Sequence, residues 1–234
     1  MNCMLGSKKL NRRTGDRLDQ KINLPFQPSC LIGPPGPIFL TEQSIKIIKS
    51  MNVSVIIIDD FYVNPDEVRA FALQQEFDVR GNYPGMRTKS FWNNNIKECI
   101  EHNMQFAGKI TEIFEDSGYT GAFQLATAMD RTWIHSDWCN MWAGVCYLTP
   151  GAPHTGGTGL FRHKRTGNHY RTENSDYESY DYTKWDLFDV IGNKYNRLVV
   201  YRGDLFHASL DYFGDNKDNG RLFQTFFFNT ERWA

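Results

Sequence analysis

Four polar side chains in the C-terminal half of the sequence have the types and spacing of a reaction centre: His135, Asp137, His207 and Arg221. His135 and Asp137 lie two apart in Trp133-Ile134-His135-Ser136-Asp137-Trp138. On an extended segment both point to one side while Ser136 points away. His207 closes Tyr201-Arg202-Gly203-Asp204-Leu205-Phe206-His207 and must come from a distant strand laid alongside. Two imidazoles and one carboxylate on one face of a divalent ion leave its opposite face open, an arrangement that suits non-haem Fe(II) centres that activate oxygen. The open positions can take the keto oxygen and C1 carboxylate of a 2-oxo acid, and then dioxygen. Arg221 opens the apolar run Arg221-Leu222-Phe223-Gln224-Thr225-Phe226-Phe227-Phe228. Its planar fork can clamp the far carboxylate of 2-oxoglutarate. Tyr147, on the strand after the His-x-Asp pair, can donate a phenolic hydrogen bond to the same carboxylate.

Each of these residues also has a structural reading. His135 and Asp137 can be a hydrogen-bonded pair, with His207 an unrelated surface residue. Arg221 can form a salt bridge to Asp204 or Asp211, and Tyr147 can be a core tyrosine with a satisfied hydroxyl. His154 belongs to a loop at the pocket edge, His163 and His169 to the surface of an insertion, and His102 to a helix without a metal role. Arg87, in Pro84-Gly85-Met86-Arg87-Thr88, is a candidate substrate contact whose alternative is a structural ion pair.

The elements that must position these side chains are mostly strands. Candidates lie at 122–130, 132–137, 141–149, 157–163, 196–202, 205–209 and 221–229, separated by turn signals such as Thr149-Pro150-Gly151. Short aromatic and β-branched strands in this number predict a sandwich or jelly roll. The stretch 164–195 interrupts them as a polar, tyrosine-rich insertion, with Trp185–Ile191 read as helical, and a long insertion at a barrel mouth is often a lid or substrate loop. Upstream, 53–60 reads as a strand. Asn64-Pro65-Asp66-Glu67 starts a helix that runs to about Gln75 with Val68, Phe71 and Ala72 inward. A second helix is expected over 95–116, from Ile96, Ile100, Met104, Ala107, Ile110 and Phe114 at helical spacing. Residues 1–50 form an arm and a Pro-rich covering segment, 51–121 an α/β elaboration, and 122–234 the core.

Bulk composition narrows the classes. The 234 residues suit one decorated domain or at most two small ones. A net charge of −1, from 26 basic and 27 acidic residues, offers no large basic field for nucleic acid. Five cysteines without a C-x-x-C pair argue against a disulfide framework or zinc ribbon, and reduced cytosolic thiols are the simplest reading. No apolar stretch is long enough for a membrane span, and the basic N-terminus lacks the apolar core of a secretory signal. The expected location is therefore cytoplasmic.

The motifs together resemble the 2-oxoglutarate/Fe(II)-dependent dioxygenases, in the branch with the prolyl hydroxylases. The resemblance covers about 122–230. It rests on His135-Ser136-Asp137, Cys146-Tyr147-Leu148, Gly156-Gly157-Thr158-Gly159-Leu160-Phe161, Asp204-Leu205-Phe206-His207, and Arg221 at the head of the last strand. It implies a double-stranded β-helix and implicates Tyr147 in co-substrate binding. The loop Tyr212–Gly220 makes the interval from His207 to Arg221 longer than the family's common one. The N-terminal half, with Asp59-Asp60-Phe61-Tyr62-Val63-Asn64-Pro65, looks more like small microbial or phage oxygenases than a well-studied hydroxylase, so no substrate carries over.

The expectation is thus an Fe(II)- and 2-oxoglutarate-dependent dioxygenase, mainly β with flanking helices on a jelly-roll core. The metal ligands would be His135, Asp137 and His207, with Arg221 and Tyr147 on the co-substrate. Ascorbate is a compatible accessory reductant. The primary substrate is a small molecule or a peptide. Two rivals use the same residues: a cupin-like metal protein without 2-oxoglutarate, and a non-catalytic jelly-roll binding protein.

Overall fold

The computed structural model describes residues 52–114, 119–172 and 178–233. The expected arm and Pro-rich segment lie outside the described residues. Within them the chain is mainly β, with two α-helices and two antiparallel sheets. The strands are β1 (Val55–Ile58), β2 (Met86–Ser90), β3 (Ile110–Ile113), β4 (Ala122–Ala126), β5 (Trp142–Tyr147), β6 (Thr158–His163), β7 (Trp185–Ile191), β8 (Leu198–Arg202), β9 (His207–Ser209) and β10 (Arg221–Thr230). The helices are α1 (Pro65–Leu73) and α2 (Asn94–Asn103).

The larger sheet runs β1-β8-β5-β10-β4-β2, and β3 also pairs with β10. The smaller sheet runs β7-β6-β9. Alternation along the strands divides the interior into layers. On β10, Leu222, Phe226 and Phe228 join Trp142, Cys146, Leu198 and Val200 in a core shared with Val68 and Ala72 of α1 and Ile96 and Ile100 of α2. The opposite face carries Ala143, Val145, Tyr147, Val199, Tyr201 and Phe223, which pack against Leu160, Ile191 and Leu205. The outer side of the smaller sheet is closed by Ile134, Phe161, Trp185, Phe206 and Ala208. Strands from 51–121 contribute directly to the larger sheet, because β1 pairs with β8 and β2 with β4.

Several expectations need correction. The second helix ends at Asn103, not near 116. Gly108, at φ 81, turns the chain, and Ile110 starts β3 instead. The Ile110 amide donates to Glu101 Oε1 at 2.8 Å, so a buried carboxylate anchors the departure from the helix. Ile110 and Phe114 fit the helical period only by coincidence. Trp185–Ile191 is the strand β7 and not a helix. Its register against β6 shifts between Leu160 and Phe161, which breaks the two-residue alternation that would have marked it as a strand. Residues 132–137 contribute only an isolated bridge at His135, and β4 stops at Ala126, where the Asp130 carboxylate accepts from the Thr127 amide at 2.8 Å. Cys146 is free and buried. None of the described helices is long and apolar enough to cross a membrane.

Candidate metal and co-substrate site

The side chains of His135, Asp137 and His207 come together at the edge of the smaller sheet, with one possible ligand atom from each lying within 4.8 Å of the others. The bridge that aligns them is backbone. The His135 amide donates to the His207 carbonyl at 3.0 Å, and the His207 amide to the His135 carbonyl at 2.8 Å. After this bridge the chain turns, with the Asn140 amide donating to the Asp137 carbonyl at 2.9 Å. Asp137 then reaches both rings. Its Oδ1 lies 3.7 Å from His135 Nε2 and its Oδ2 3.2 Å from His207 Nε2.

The other ring nitrogens fix the tautomers. His135 Nδ1 is 3.0 Å from the Trp133 carbonyl and His207 Nδ1 is 2.9 Å from the Leu205 carbonyl. A carbonyl only accepts, so each Nδ1 carries a proton, and Nε2 is the atom turned to the cluster, free to bind a metal once it has no proton of its own. Such outer hydrogen bonds orient imidazole ligands for a metal ion. Burial lowers the His135 pKa, and the neighbouring His207 adds to the effect, which favours the neutral, ligating form. At Asp137 burial pushes the carboxyl up, but the charge and hydrogen bond of His207 outweigh it and the net shift is down. Buried Tyr201 stacks on His207 with ring centroids 4.6 Å apart.

Arg221 is fully buried on the sheet face that looks toward the cluster. Its Nε donates to the Gly156 carbonyl at 2.8 Å and its Nη2 to the Gly157 carbonyl at 3.3 Å. Nη1 has no partner. The expected structural alternative does not hold with Asp204, which pairs with Arg202 at 2.7 Å. Among the described residues no carboxylate is ion-paired with Arg221. Tyr147 is also fully buried, its hydroxyl 2.7 Å from Thr158 Oγ1 and its ring 5.4 Å from the Arg221 guanidinium. Burial raises the phenol pKa, against the pull of Arg221, so the hydroxyl keeps its proton as a donor. The Gly-Gly pair has a steric reason: a Cβ on Gly157 would lie 2.0 Å from the Ile191 carbonyl oxygen.

Residues 41–228 match the profile of a family of unknown function, DUF6445. The chain belongs to that family. No curated protein matches its sequence. Among solved structures, this DUF6445 member is similar to HygX from Streptomyces hygroscopicus with nickel, 2-oxoglutarate and hygromycin B bound. The TM-score is 0.53 at 10% identity, covering 82% of this chain and 88% of that one. HygX with nickel and 2-oxoglutarate gives 0.52, at the same identity and coverage. A prolyl hydroxylase in complex with a hypoxia-inducible-factor peptide, from Trichoplax adhaerens, gives 0.48 at 11% identity, covering 80% and 87% of the two chains; a likeness of that depth carries no weight here. At 10% identity the HygX likeness establishes the fold of this DUF6445 member and not its activity.

The remaining candidates fall elsewhere. His154 Nδ1 lies 3.2 Å from the Asn193 carbonyl, and His102 is on α2. His163 is buried against Trp185 rather than on the surface. Two residues near the site carried no role in the sequence reading: Tyr201, stacked on His207, and Tyr212, whose ring is 5.6 Å from the Arg221 guanidinium. Tyr201 follows Val199 by one alternation on an inward strand face, the one signal available for it. Tyr212 sits in a loop and had none.

Proposed function

We propose that this DUF6445 member is an Fe(II)- and 2-oxoglutarate-dependent dioxygenase on a double-stranded β-helix, hydroxylating a substrate with release of succinate and carbon dioxide. One observation carries the reading. A three-ligand cluster lies beside the interior layer that holds Arg221, a fully buried arginine that among the described residues has no carboxylate partner and one unsatisfied nitrogen, Nη1. A buried, unpaired guanidinium is costly, and an external carboxylate removes that cost.

In this reading His135, Asp137 and His207 hold the metal on one side and leave the side toward the larger sheet open. The bound Fe(II) would supply oxygen activation, coupled to decarboxylation of the 2-oxo acid. Arg221 holds the far carboxylate through Nη1, while the Gly156 and Gly157 carbonyls prevent the guanidinium from swinging away. Tyr147 donates its hydroxyl proton to the same carboxylate, turning from Thr158 to do so. The aromatic and aliphatic wall of Tyr201, Val199 and Phe223 excludes water and strengthens these charged contacts.

The fit is tested by calorimetry with Ni(II) in place of the oxidisable metal. Binding of 2-oxoglutarate that requires Ni(II) and is lost in Arg221→Met supports the assignment. Binding of Ni(II) with no 2-oxoglutarate response shifts the assignment to a cupin-like metal protein.

A further inference from the structure

A second buried arginine lies on the same sheet face. Arg87 on β2 pairs across to Gln124 of β4, and Arg221 on β10 pairs across to Ala126 of the same strand. Two strand spacings of about 4.8 Å, with an offset of two residues along the strand, separate their backbones by about 12 Å. Arg87 is 4% exposed. Its Nε donates to Gln124 Oε1 at 2.7 Å. Its guanidinium lies 3.8 Å from the centroid of the Tyr83 ring, 4.8 Å from Tyr119 and 5.6 Å from Phe227. Nη1 is sealed from solvent and meets no acceptor. Among the described residues no carboxylate is ion-paired with Arg87, so the structural ion pair expected from the sequence is not there.

Desolvation lowers the Arg87 pKa to about 10, which leaves it cationic at neutral pH. The Tyr212 ring lies 5.6 Å from the Arg221 guanidinium. A guanidinium held by aromatic faces, with Nε bound to Gln124 and Nη1 unsatisfied among the described residues, can donate to the oxygen of an anion. One guanidinium edge in an aromatic box suits a monoanionic carboxylate better than a phosphate dianion.

We propose that Arg87 binds a carboxylate of the primary substrate and so sets which part of that molecule faces His135, Asp137 and His207. The assignment rests on Arg221 being the clamp for 2-oxoglutarate, which leaves Arg87 to the other ligand. The substrate class is then a small carboxylic acid, or a chain terminus that presents one.

Side-chain nitrogen NMR of the full chain loaded with diamagnetic Zn(II) separates the two claims, with the Nε–H signals assigned through Arg87→Lys and Arg221→Lys. Addition of 2-oxoglutarate should move the Arg221 signal and leave Arg87 in place. Acetate, added next as the probe, should move the Arg87 signal saturably, while acetamide should not. The affinity for carbon-13-labelled acetate should fall at least tenfold in Arg87→Gln. If that variant does not fold, the wild-type titration alone decides. An Arg87 signal that acetate leaves unmoved overturns the proposal, as does an Arg87 signal moved by 2-oxoglutarate while Arg221 stays still. If 2-oxoglutarate moves neither arginine, the clamp reading fails, and the acetate response still decides whether Arg87 is an anion site.

Discussion

His135 and His207 exchange both backbone hydrogen bonds, at 3.0 and 2.8 Å, so the two imidazoles leave adjacent strands as a directly opposed pair with ring centroids 4.4 Å apart. A slip of one residue would place Ser136 or Ala208 in the cluster instead. The metal site is therefore as well defined as this one bridge, and the carboxylate two residues on completes it.

The first prediction concerns metal binding. Ni(II) or Zn(II) at about 100 times its dissociation constant should stabilise the protein by about 2.7 kcal/mol against urea. Asp137→Ala should abolish that gain. A full metal-dependent gain in Asp137→Ala would remove this residue from the ligand set.

Replacing Arg221 should separate the two ligands. Loss of a charge-assisted hydrogen bond costs about 1.5–3 kcal/mol, so 2-oxoglutarate affinity should fall by at least tenfold in Arg221→Met with metal affinity unchanged. Calorimetry reads both constants on one sample. Equal loss of metal and co-substrate binding would mean that Arg221 supports the fold of the site rather than the carboxylate.

Gly157→Ala should destabilise the chain by about 1–3 kcal/mol, since the added methyl meets a backbone carbonyl with no room to give. The carbonyls of Gly156 and Gly157 itself hold Arg221, so 2-oxoglutarate binding should weaken as well. Chemical denaturation and calorimetry on the variant test the two effects, and wild-type values in both would show that the β6 approach is looser than this geometry.

Asp59 supplies a pH dependence. Its carboxylate is bridged by Arg197 at 2.7 Å and by Lys194 at 2.9 Å, and the hydrogen bond from Arg197 is the main reason its pKa falls from 3.8 to about 2. A depressed carboxyl pKa contributes stability that is present above the unfolded value of 3.8 and is lost as pH falls through about 2. The carboxylate is 37% exposed, so screening limits the contribution to about 1 kcal/mol or less. Asp59→Asn should be less stable than wild type at pH 7, with the gap closing between about pH 4 and pH 2. A gap that stays constant across that window would exclude the ion pair as its source.

The convergence of His135, Asp137 and His207 was legible because their types and spacing suggest a shared ion. A His-x-Asp pair, a later His and an Arg leading a strand keep their meaning whatever the exact strand ends are. The flanking geometry was less legible. The segment around His135 was read as a full strand but is held by a single bridge, since the turn after Asp137 removes further partners. Trp185–Ile191 hid its strand behind a register shift, and Ile110 continued a helical period that Gly108 had already ended. Arg87 was noticed, but its role depends on β2 pairing with β4, and nothing local in Pro84-Gly85-Met86-Arg87-Thr88 marks a strand partner.

The most direct test of the central claim is an anaerobic titration of the metal-free protein with Fe(II) and then 2-oxoglutarate, followed in visible absorption. The account predicts a charge-transfer band that needs both additions, and that is absent in His207→Ala and weakened in Arg221→Met. Fe(II) binding with no band at saturating 2-oxoglutarate would contradict it.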